Sequence, residues 1–224
     1  MPVSRASYFR NPNIGLFAYT DNELTIVPRD MHPKNDAHFA VLGTALVRTT
    51  IFGSALMGVY IAGNKHGVVM PEMLYKDEKA ALAKLALGGS RSISHSKSKF
   101  NAFGNNLALN DKGCIVSKNY TRDQAKAFEE LFQVEVLRFA ISGYWAVGAL
   151  CRANNKGALV SNKASDEEIR QIESVLKVPV TVGSVNFGEA FIKLGAVAND
   201  KGLVAGQACS GFEIGNMQSA LGIE

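Results

Sequence analysis

The side chains that could support nucleophilic catalysis in this chain are three cysteines and four histidines. In such chemistry a thiolate attacks the substrate and an imidazole moves the proton. None of the histidines stands in a His-x-Asp or His-x-Glu pairing, and no serine triad or carboxylate pair is evident. A reactive thiol also needs neighbours that lower its pKa, and the sequence identifies none. We therefore predict that Cys114, Cys151 and Cys209 are small core residues.

Cofactor and metal chemistry also find little support. An odd number of cysteines without CxxC spacing argues against a disulfide framework and a zinc site, and favours the cytosol as the compartment. The glycines of Gly53 to Gly58 lack the Lys-Ser/Thr that follows them in a phosphate loop. Asp166-Glu167-Glu168 is explained by negative charge at a helix start. We expect no metal and no cofactor.

The net charge of +4 is compatible with a nucleic-acid-rich neighbourhood but does not require one. The densest basic stretch, Arg91, Lys97 and Lys99, fits either a solvated strand edge or direct contact with RNA. The run from Phe139 to Cys151 is too short to span a bilayer, and the first ten residues lack the apolar core of a signal peptide. These features predict a protein without a membrane partner.

A tetrad recurs along the chain at Asn64 to Gly67, Asn110 to Gly113, Asn154 to Gly157 and Asn199 to Gly202, and its glycines lie 46, 44 and 45 residues apart. Self-similarity at such a period indicates a repeat architecture. One period before Gly67 lies the degenerate turn Asp21-Asn22-Glu23, which makes five units.

Each tetrad is predicted to close a β-hairpin, with the asparagine bonding to the backbone that follows and the glycine supplying a positive φ. The apolar runs that precede and follow the turns predict the strands. Those that precede the four tetrads are Gly58 to Ala62, Leu107 to Leu109, Gly148 to Cys151 and Gly195 to Ala198.

A helix should follow each hairpin. Capping boxes at Thr121, Ser165 and Ser210 mark the beginnings of the last three helices. The helix of the second unit is predicted to span Glu72 to Leu87 without a clear cap. That of the first unit lies around Lys34 to Leu42, with Pro33 at its entrance. A third strand should follow each helix except the last. The predicted third strands are Leu46 to Ile51, Arg91 to His95, Val134 to Phe139 and Val178 to Val182.

The fifth unit lacks a third strand because the sequence ends just past its helix. The N-terminal segment, Val3 to Phe9, has the phase of a third strand and is predicted to complete that unit. Such closure turns the array into a ring and removes exposed sheet edges. We expect one domain spanning residues 1 to 224.

Motifs from every part of the chain resemble the translation initiation factor 6 family. They are Ile14 to Ala18, Gly63 to Gly67, Gly104-Asn105 before Asn110-Asp111, Val178-Pro179-Val180, Gly183 to Asn186, and Gly195 to Asp200. The resemblance implies an α/β pentein fold (a β/α-propeller), five ββαβ-type repeats about a pseudo-fivefold axis with the N-terminal strand closing the last. The chain is similar to the short archaeal form and lacks the tail of eukaryotic members.

The resemblance also implies a non-enzymatic, cytoplasmic, monomeric ribosome anti-association factor. Members of the family bind the large ribosomal subunit near the sarcin-ricin loop, through ribosomal proteins and rRNA, and sterically block joining of the small subunit; DNA is not a partner. Whether a role in ribosome biogenesis accompanies this activity stays open.

The expected contact surface is formed by the loops that join each third strand to the next unit, because they recur at one phase of the repeat and must share one rim. The resemblance points first to Gly15 and Asn105. Aromatic side chains among small residues are good anchors, although burial is the common fate of large rings. The complete set of expected ribosome-binding residues is Asn13, Gly15, Val59, Asn101, Asn105, Tyr144, Trp145, Asn186, Phe187 and Phe191.

The alternative function is enzymatic. The pentein fold also serves guanidine-modifying hydrolases and transferases, which use a cysteine nucleophile, a histidine base and carboxylates at one mouth of the ring. Cys209 lies where that nucleophile is expected. Its missing partners and the minimal length of the units favour the binding protein.

Overall fold

The computed structural model describes residues 2–83 and 91–224, which form a ring of five similar units. Within these residues the strands are β1 Val3–Ala6, β2 Tyr19–Thr20, β3 Leu24–Pro28, β4 Ala45–Thr49, β5 Ala62–Gly63, β6 Gly67–Pro71, β7 Ser92–Ser96, β8 Leu107–Leu109, β9 Gly113–Ser117, β10 Glu135–Phe139, β11 Cys151–Ala153, β12 Ala158–Ser161, β13 Val180–Gly183, β14 Ala196–Ala198 and β15 Leu203–Gly206.

Each unit has a four-residue α-helix before its hairpin and a second helix after it, called the longer helix. In the first unit the second helix is the four-residue segment Asp36–Phe39, with a 3₁₀ turn on either side. Among the described residues the α-helices are α1 Ile14–Phe17, α2 Asp36–Phe39, α3 Met57–Tyr60, α4 Lys76–Leu82, α5 Phe103–Asn106, α6 Arg122–Phe132, α7 Val147–Leu150, α8 Asp166–Leu176, α9 Ile192–Gly195 and α10 Gly211–Ala220. One 3₁₀ turn, Pro33–Asn35, precedes α2 and another, Ala40–Leu42, follows it.

Every unit contributes one three-stranded sheet, so the five predicted ββαβ-type repeats are confirmed. The first two strands pair antiparallel, as in Cys151 opposite Val160, and the third lies parallel to the second, as in Val180 opposite Ala158. The parallel pairing requires a crossover, which the longer helix of the unit provides.

The predicted ring closure is confirmed. Strand β1 lies parallel to β15, with Val3 opposite Leu203 and Ala6 opposite Gly206, and it completes the fifth sheet. The N-terminal strand ends at Ala6 rather than at the predicted Phe9, because the chain turns sharply between Tyr8 and Asn11.

The hydrophobic core consists of five clusters, each built from two neighbouring units. In one of them, Leu24 and Ile26 of the first unit pack with Val68, Met70 and Leu82 of the second. A single unit therefore cannot bury its own apolar face, which is the property expected of a repeat protein.

The predicted strands from Gly58, Gly148 and Gly195 are wrong at their beginnings. Helices α3, α7 and α9 cover the first residues of those segments. Only Ala62 of the first segment, Cys151 of the second and the last three residues of the third are β-strand. These four-residue helices pack side by side around the pseudo-fivefold axis. A Cβ atom at Gly58 would lie 1.9 Å from the carbonyl oxygen of Gly15, so the glycine allows neighbouring backbones to touch.

The hairpin glycines do not adopt the predicted positive φ. They are needed because another backbone lies against them: a Cβ at Gly113 would be 1.8 Å from the carbonyl oxygen of Val175, and one at Gly157 would be 1.9 Å from that of Ala220. Each hairpin thus packs against the end of the longer helix in the next unit.

The asparagine of each tetrad connects adjacent units. The Asn64 side chain accepts hydrogen bonds from the amides of His66 and Gly67 through Oδ1, which closes its own turn. Its Nδ2 donates to the carbonyl oxygens of Asn110 and Phe132 in the next unit, at 3.3 and 2.9 Å. Local turn chemistry and inter-unit contact are therefore combined in one buried side chain.

The same pattern continues around the ring through Asn110, Asn154 and Asn199, and Asn199 donates to the carbonyl oxygens of Asp21 and Leu42 in the first unit. The degenerate first turn departs from it. The Asp21 carboxylate accepts from the amides of its own turn, but it has no side-chain N–H that could donate to the next unit. Its Oδ2 instead lies 2.9 Å from Nη1 of the buried Arg91.

The predicted capping boxes at Thr121, Ser165 and Ser210 are confirmed. In the second unit the helix begins at Lys76, later than predicted, and Glu78 accepts a hydrogen bond from the Tyr75 amide. The predicted end of this helix at Leu87 lies outside the described residues.

Candidate functional site

The ring has two distinct faces. In each unit the strands run from one face of the ring to the other. The five hairpin turns all lie on one side, which we call the hairpin face; they span 21–24, 64–67, 110–113, 154–157 and 199–202. The opposite side, the turn face, carries the loops between units and the first residues of the longer helices. The loops that were predicted to share one rim therefore do share it.

Four of these loops on the turn face are tight turns closed by a pair of backbone hydrogen bonds. The pairs are Tyr8 with Asn11, Ile51 with Ser54, Ile141 with Tyr144, and Val185 with Glu189. In the third unit the described loop residues form no such bridge.

Phenylalanines occupy strained positions in these turns. Phe9, Phe52 and Phe187 have φ angles of 46°, 44° and 64°, a region that bulky side chains rarely adopt. Phe9 is 75 % exposed and Phe187 is 81 % exposed. Glycine would relieve the strain and remove apolar surface from water, so the turns keep residues that are unfavourable for the isolated molecule. Such positions indicate a binding role.

Carboxylates from the longer helices hold the turns in place. Glu78 accepts hydrogen bonds from the amides of Phe52 and Gly53, and Glu168 accepts one from the amide of Ser142. Each of these glutamates also caps its own helix. The capping residue therefore fixes both the helix start and the turn that precedes the next unit.

Glu213 provides the same support in the fifth unit. Burial alone would raise the pKa of its carboxyl group, but hydrogen bonds from the amides of Ser210, Gly188 and Phe187 and from the Ser184 hydroxyl hold that pKa below its ordinary value. Glu213 is therefore a buried, charged anchor beneath an exposed aromatic ring.

The large exposed apolar side chains of the described residues all lie towards the turn face. Eight large hydrophobic residues are exposed in the described part of the chain, and each lies in a loop between units, near the start of a longer helix, or at the turn-face end of a strand. They are Phe9, Met73, Tyr75, Tyr144, Trp145, Val182, Phe187 and Phe212. Large apolar side chains that share one face of a ring are a feature of interaction surfaces.

The hairpin face is polar, and its side chains bond to one another. In four of the five turns the side chain of the second residue accepts from a backbone amide of the preceding unit, as when Asp111 accepts from the amide of Lys65 at 2.9 Å. Lys112 and Lys201 donate to backbone carbonyl oxygens of neighbouring units. Those lysines therefore stabilise the ring.

The structure places the expected contact residues in three environments. Tyr144, Trp145 and Phe187 are exposed on the turn face, with fractional exposures of 45 %, 51 % and 81 %. Gly15 is buried. The half-buried members of the set are Asn13, Val59, Asn101, Asn105, Asn186 and Phe191.

Gly15 and Asn186 have clear packing roles. A Cβ at Gly15 would lie 1.6 Å from the carbonyl oxygen of Lys193, so this glycine belongs to the packed ring centre. Asn186 donates to the Asn13 side chain at 3.0 Å and so links the last unit to the first. Tyr144 and Phe191 form an edge-to-face pair with centroids 5.8 Å apart.

Some exposed residues of the turn face are not among those that the sequence predicts as contact residues. Phe9 was assigned to a strand, and Met73, Tyr75 and Phe212 lie where helices begin. A usable signal exists for Phe9, since it has the same phase in the repeat as Phe52. Met73, Tyr75 and Phe212 could be assigned to this face only once the structure showed on which side of the ring the helices begin.

The whole chain is similar to known proteins. Residues 3–220 match the eIF-6 family. The chain belongs to that family. It is 37 % identical over 224 residues to translation initiation factor 6 of Saccharolobus solfataricus and 35 % identical to that of Saccharolobus islandicus, in both cases covering 99 % of this chain and 100 % of the relative. Identity to the factor of Pyrococcus abyssi is 30 %, with both chains fully covered.

Among solved structures, a dimethylarginine dimethylaminohydrolase variant in complex with S-methyl-L-thiocitrulline is similar at a TM-score of 0.49 and 9 % identity. The similarity covers 78 % of this chain and 70 % of that one. No helix in residues 2–83 and 91–224 is long and apolar enough to cross a membrane.

Cys209, the candidate nucleophile, is buried. Burial raises the pKa of its thiol, although the amides of Asn186 and Gly206 oppose that shift. Its sulfur accepts from the Asn186 amide at 3.3 Å and donates to the Asn186 side chain. A raised pKa is the opposite of what a nucleophilic thiolate needs, so these surroundings favour a packing role for Cys209.

No group of three or more His, Cys, Asp or Glu side chains that could hold a metal ion occurs in the described part of the chain.

Proposed function

We propose that this protein binds the large ribosomal subunit through its turn face and sterically prevents premature joining of the small subunit. Membership of the eIF-6 family supports a role in translation initiation. The observation that carries the choice of surface is the confinement of all eight exposed large apolar side chains of the described residues to that face.

Steric exclusion needs a broad, rigid surface rather than a pocket. Closure of the ring by β1 fixes all five units relative to one another, and the glutamates below the turns fix the loops. Preorganisation of this kind reduces the entropy lost on binding. The turn face is therefore suited to a large, flat partner.

Trp145 and Phe187 are the proposed anchors of the interface. Large aromatic side chains at the centre of an interface commonly contribute most of the binding energy. Tyr144, Asn101, Asn105 and Val59 are proposed to surround them.

Basic side chains on the turn face would meet rRNA phosphates. Arg10 lies in the first turn, while Lys97 and Lys99 lie in the loop of the third unit, and all three are exposed. Phosphate contacts of this kind make affinity depend on salt. We propose that the contact lies near the sarcin-ricin loop, and that the protein acts as a cytoplasmic monomer without catalytic activity.

Co-sedimentation with purified ribosomal subunits tests this function. The wild-type protein should pellet with the large subunit and not with the small one. W145E should weaken that binding, because it places a charge at an apolar anchor. The matched control is K65E, which introduces the same side chain at an exposed position of the hairpin face and should bind as wild type. Absence of wild-type co-sedimentation would exclude the function, and equal loss in both variants would exclude the surface.

A further inference from the structure

A cavity of about 90 Å³ lies on the pseudo-fivefold axis, lined by residues of all five units. The first strands of the five hairpins, β2, β5, β8, β11 and β14, contribute much of its wall. Four cationic side chains also line it: Lys65 at the rim, and Arg91, Arg152 and Lys193 further inside. A cavity with charged walls differs from the dry core clusters around it.

Lys193 closes the cavity at the turn-face end. It is the second residue of α9, whereas Gly15, Gly58, Gly104 and Gly148 are the second residues of the other four short helices. The lysine is buried, and its Nζ donates to the carbonyl oxygen of Gly104, 2.5 Å away. One side chain therefore fills axial space that four glycines leave open.

Arg152 projects from β11 into the same cavity. Its Nη2 donates to the carbonyl oxygens of Ala198 and Thr20. Among the described residues no hydrogen bond involves its Nη1, and that atom is not one of the fully enclosed unpartnered atoms, so it opens onto the cavity. Burial lowers the pKa of Lys193, and repulsion from Arg152 lowers it further.

Four carboxylates line the cavity, those of Asp21, Glu23, Asp111 and Asp200, and each already has a partner. Glu23 lies 3.8 Å from the Arg91 guanidinium. Asp21 accepts from the Tyr19 hydroxyl, from Arg91 and from two amides of its own turn. At the hairpin-face mouth, Asp111 and Asp200 both accept from the side-chain amide of Asn155. No carboxylate oxygen of the described residues lies within 4.0 Å of Arg152 or Lys193.

Burial of Arg152 and Lys193 without a carboxylate partner disfavours their charged forms, because it removes the water that would otherwise solvate them. An anion beside the two side chains would favour both charged forms. We propose that the axial cavity binds a small oxyanion, with inorganic phosphate as its chemical type, through Arg152 Nη1 and Lys193 Nζ. The volume admits one tetrahedral anion. Charge-assisted hydrogen bonds from both cations would compensate for its desolvation.

Entry would be from the hairpin face, since Lys193 and the short helices close the other end. The rim there is formed by the second residues of the five tetrad turns: Asn22, Lys65, Asp111, Asn155 and Asp200. This site is separate from the turn face, so its occupancy does not depend on the proposed ribosomal contact.

Titration calorimetry of the full-length protein with inorganic phosphate, against chloride at equal ionic strength, tests the proposal. Wild type should bind phosphate saturably at one site. R152M and K193M keep most of the side-chain volume and should each weaken binding about tenfold or more. The matched control is R138M, because Arg138 also has a buried, unpartnered Nε but lies on β10 outside the cavity; it should bind as wild type.

Two results would overturn the proposal: no saturable phosphate binding by wild type, or equal affinity in R152M and R138M. Circular dichroism tests whether each variant is folded. If the cavity variants do not fold, a crystal structure of wild type grown with phosphate decides: density for a tetrahedral anion beside Arg152 Nη1 supports the site, and water alone there contradicts it.

Discussion

The backbone amide of Phe187 donates a 3.2 Å hydrogen bond to the carboxylate of Glu213. The same carboxylate accepts from the amides of Gly188 and Ser210, so one buried side chain holds both the turn at Phe187 and the start of α10. This contact joins the interaction surface to the stability of the fold.

Replacing Glu213 with Gln should destabilise the protein by about 1–3 kcal/mol, because the amide cannot accept all the hydrogen bonds that the carboxylate accepts. Urea unfolding measures the change. E130Q, at an exposed position of α6, is the control and should stay within about 0.5 kcal/mol of wild type. Equal stability of the two variants would contradict the anchoring role.

Stability should fall on acidification. Despite burial, hydrogen bonds lower the pKa of Glu78 and Glu213 in the folded protein below the ordinary value of 4.5. The unfolded chain therefore takes up protons first, and the stabilisation, complete above 4.5, is lost as pH falls through the lower folded pKa. The midpoint of urea unfolding, measured from about pH 6 down to about pH 3, should therefore fall to lower urea concentration as the pH decreases. E213Q should show a smaller pH dependence; an unchanged slope would assign the effect to other groups.

Gly113→Ala should destabilise the ring by about 2 kcal/mol or more, because the new methyl group would overlap the Val175 carbonyl oxygen. Gly215→Ala is the matched control. Gly215 lies within α10 with open space around it, so alanine there should stabilise by about 0.5–1 kcal/mol through helix propensity. Thermal unfolding distinguishes the two, and a harmless G113A would contradict the close backbone packing.

Asn110→Asp isolates the inter-unit hydrogen bonds. Aspartate can still accept from Lys112 and Gly113, but it cannot donate to the carbonyl oxygens of Asn154 and Leu176. We expect a loss of about 1–3 kcal/mol in chemical unfolding. N162D, at an exposed position, should be near neutral. Similar small effects in both variants would mean that the asparagines act only within their own turns.

The three cysteines should resist alkylation by iodoacetamide in the folded protein. All are buried, and burial raises the pKa of the Cys209 thiol, so little reactive thiolate is accessible. Mass spectrometry should find them unmodified until denaturant is added. Rapid, selective labelling of Cys209 would instead favour the enzymatic alternative, which turnover assays with arginine and related guanidines would then examine.

The sequence was sufficient to predict features encoded within a unit. Local turn chemistry at Asn64 and its equivalents, and capping at Thr121, Ser165 and Ser210, established the period, and the phase of Val3 predicted ring closure. Features that depend on contacts between units were missed. The short helices at Gly58 and Gly148 arise from packing around the axis, which four residues cannot signal through periodicity.

The candidate surface was predictable as a set of loops and less so as a set of residues. Aromatic residues stand out among small ones, which is why the sequence points to Trp145 and Phe187, and both are exposed. Gly15 is buried by packing against Lys193. Phe9 was missed because the β1 strand ends three residues earlier than its apolar pattern indicates.

The most direct measurement is joining of purified ribosomal subunits, followed by light scattering, as the protein is titrated against the large subunit. The proposed function predicts that wild type and K65E abolish subunit joining when about one protein is present per large subunit. A W145E/F187E variant, folded by circular dichroism, should require a much higher concentration. Undiminished joining with wild type, or full inhibition by W145E/F187E, would contradict exclusion through the turn face.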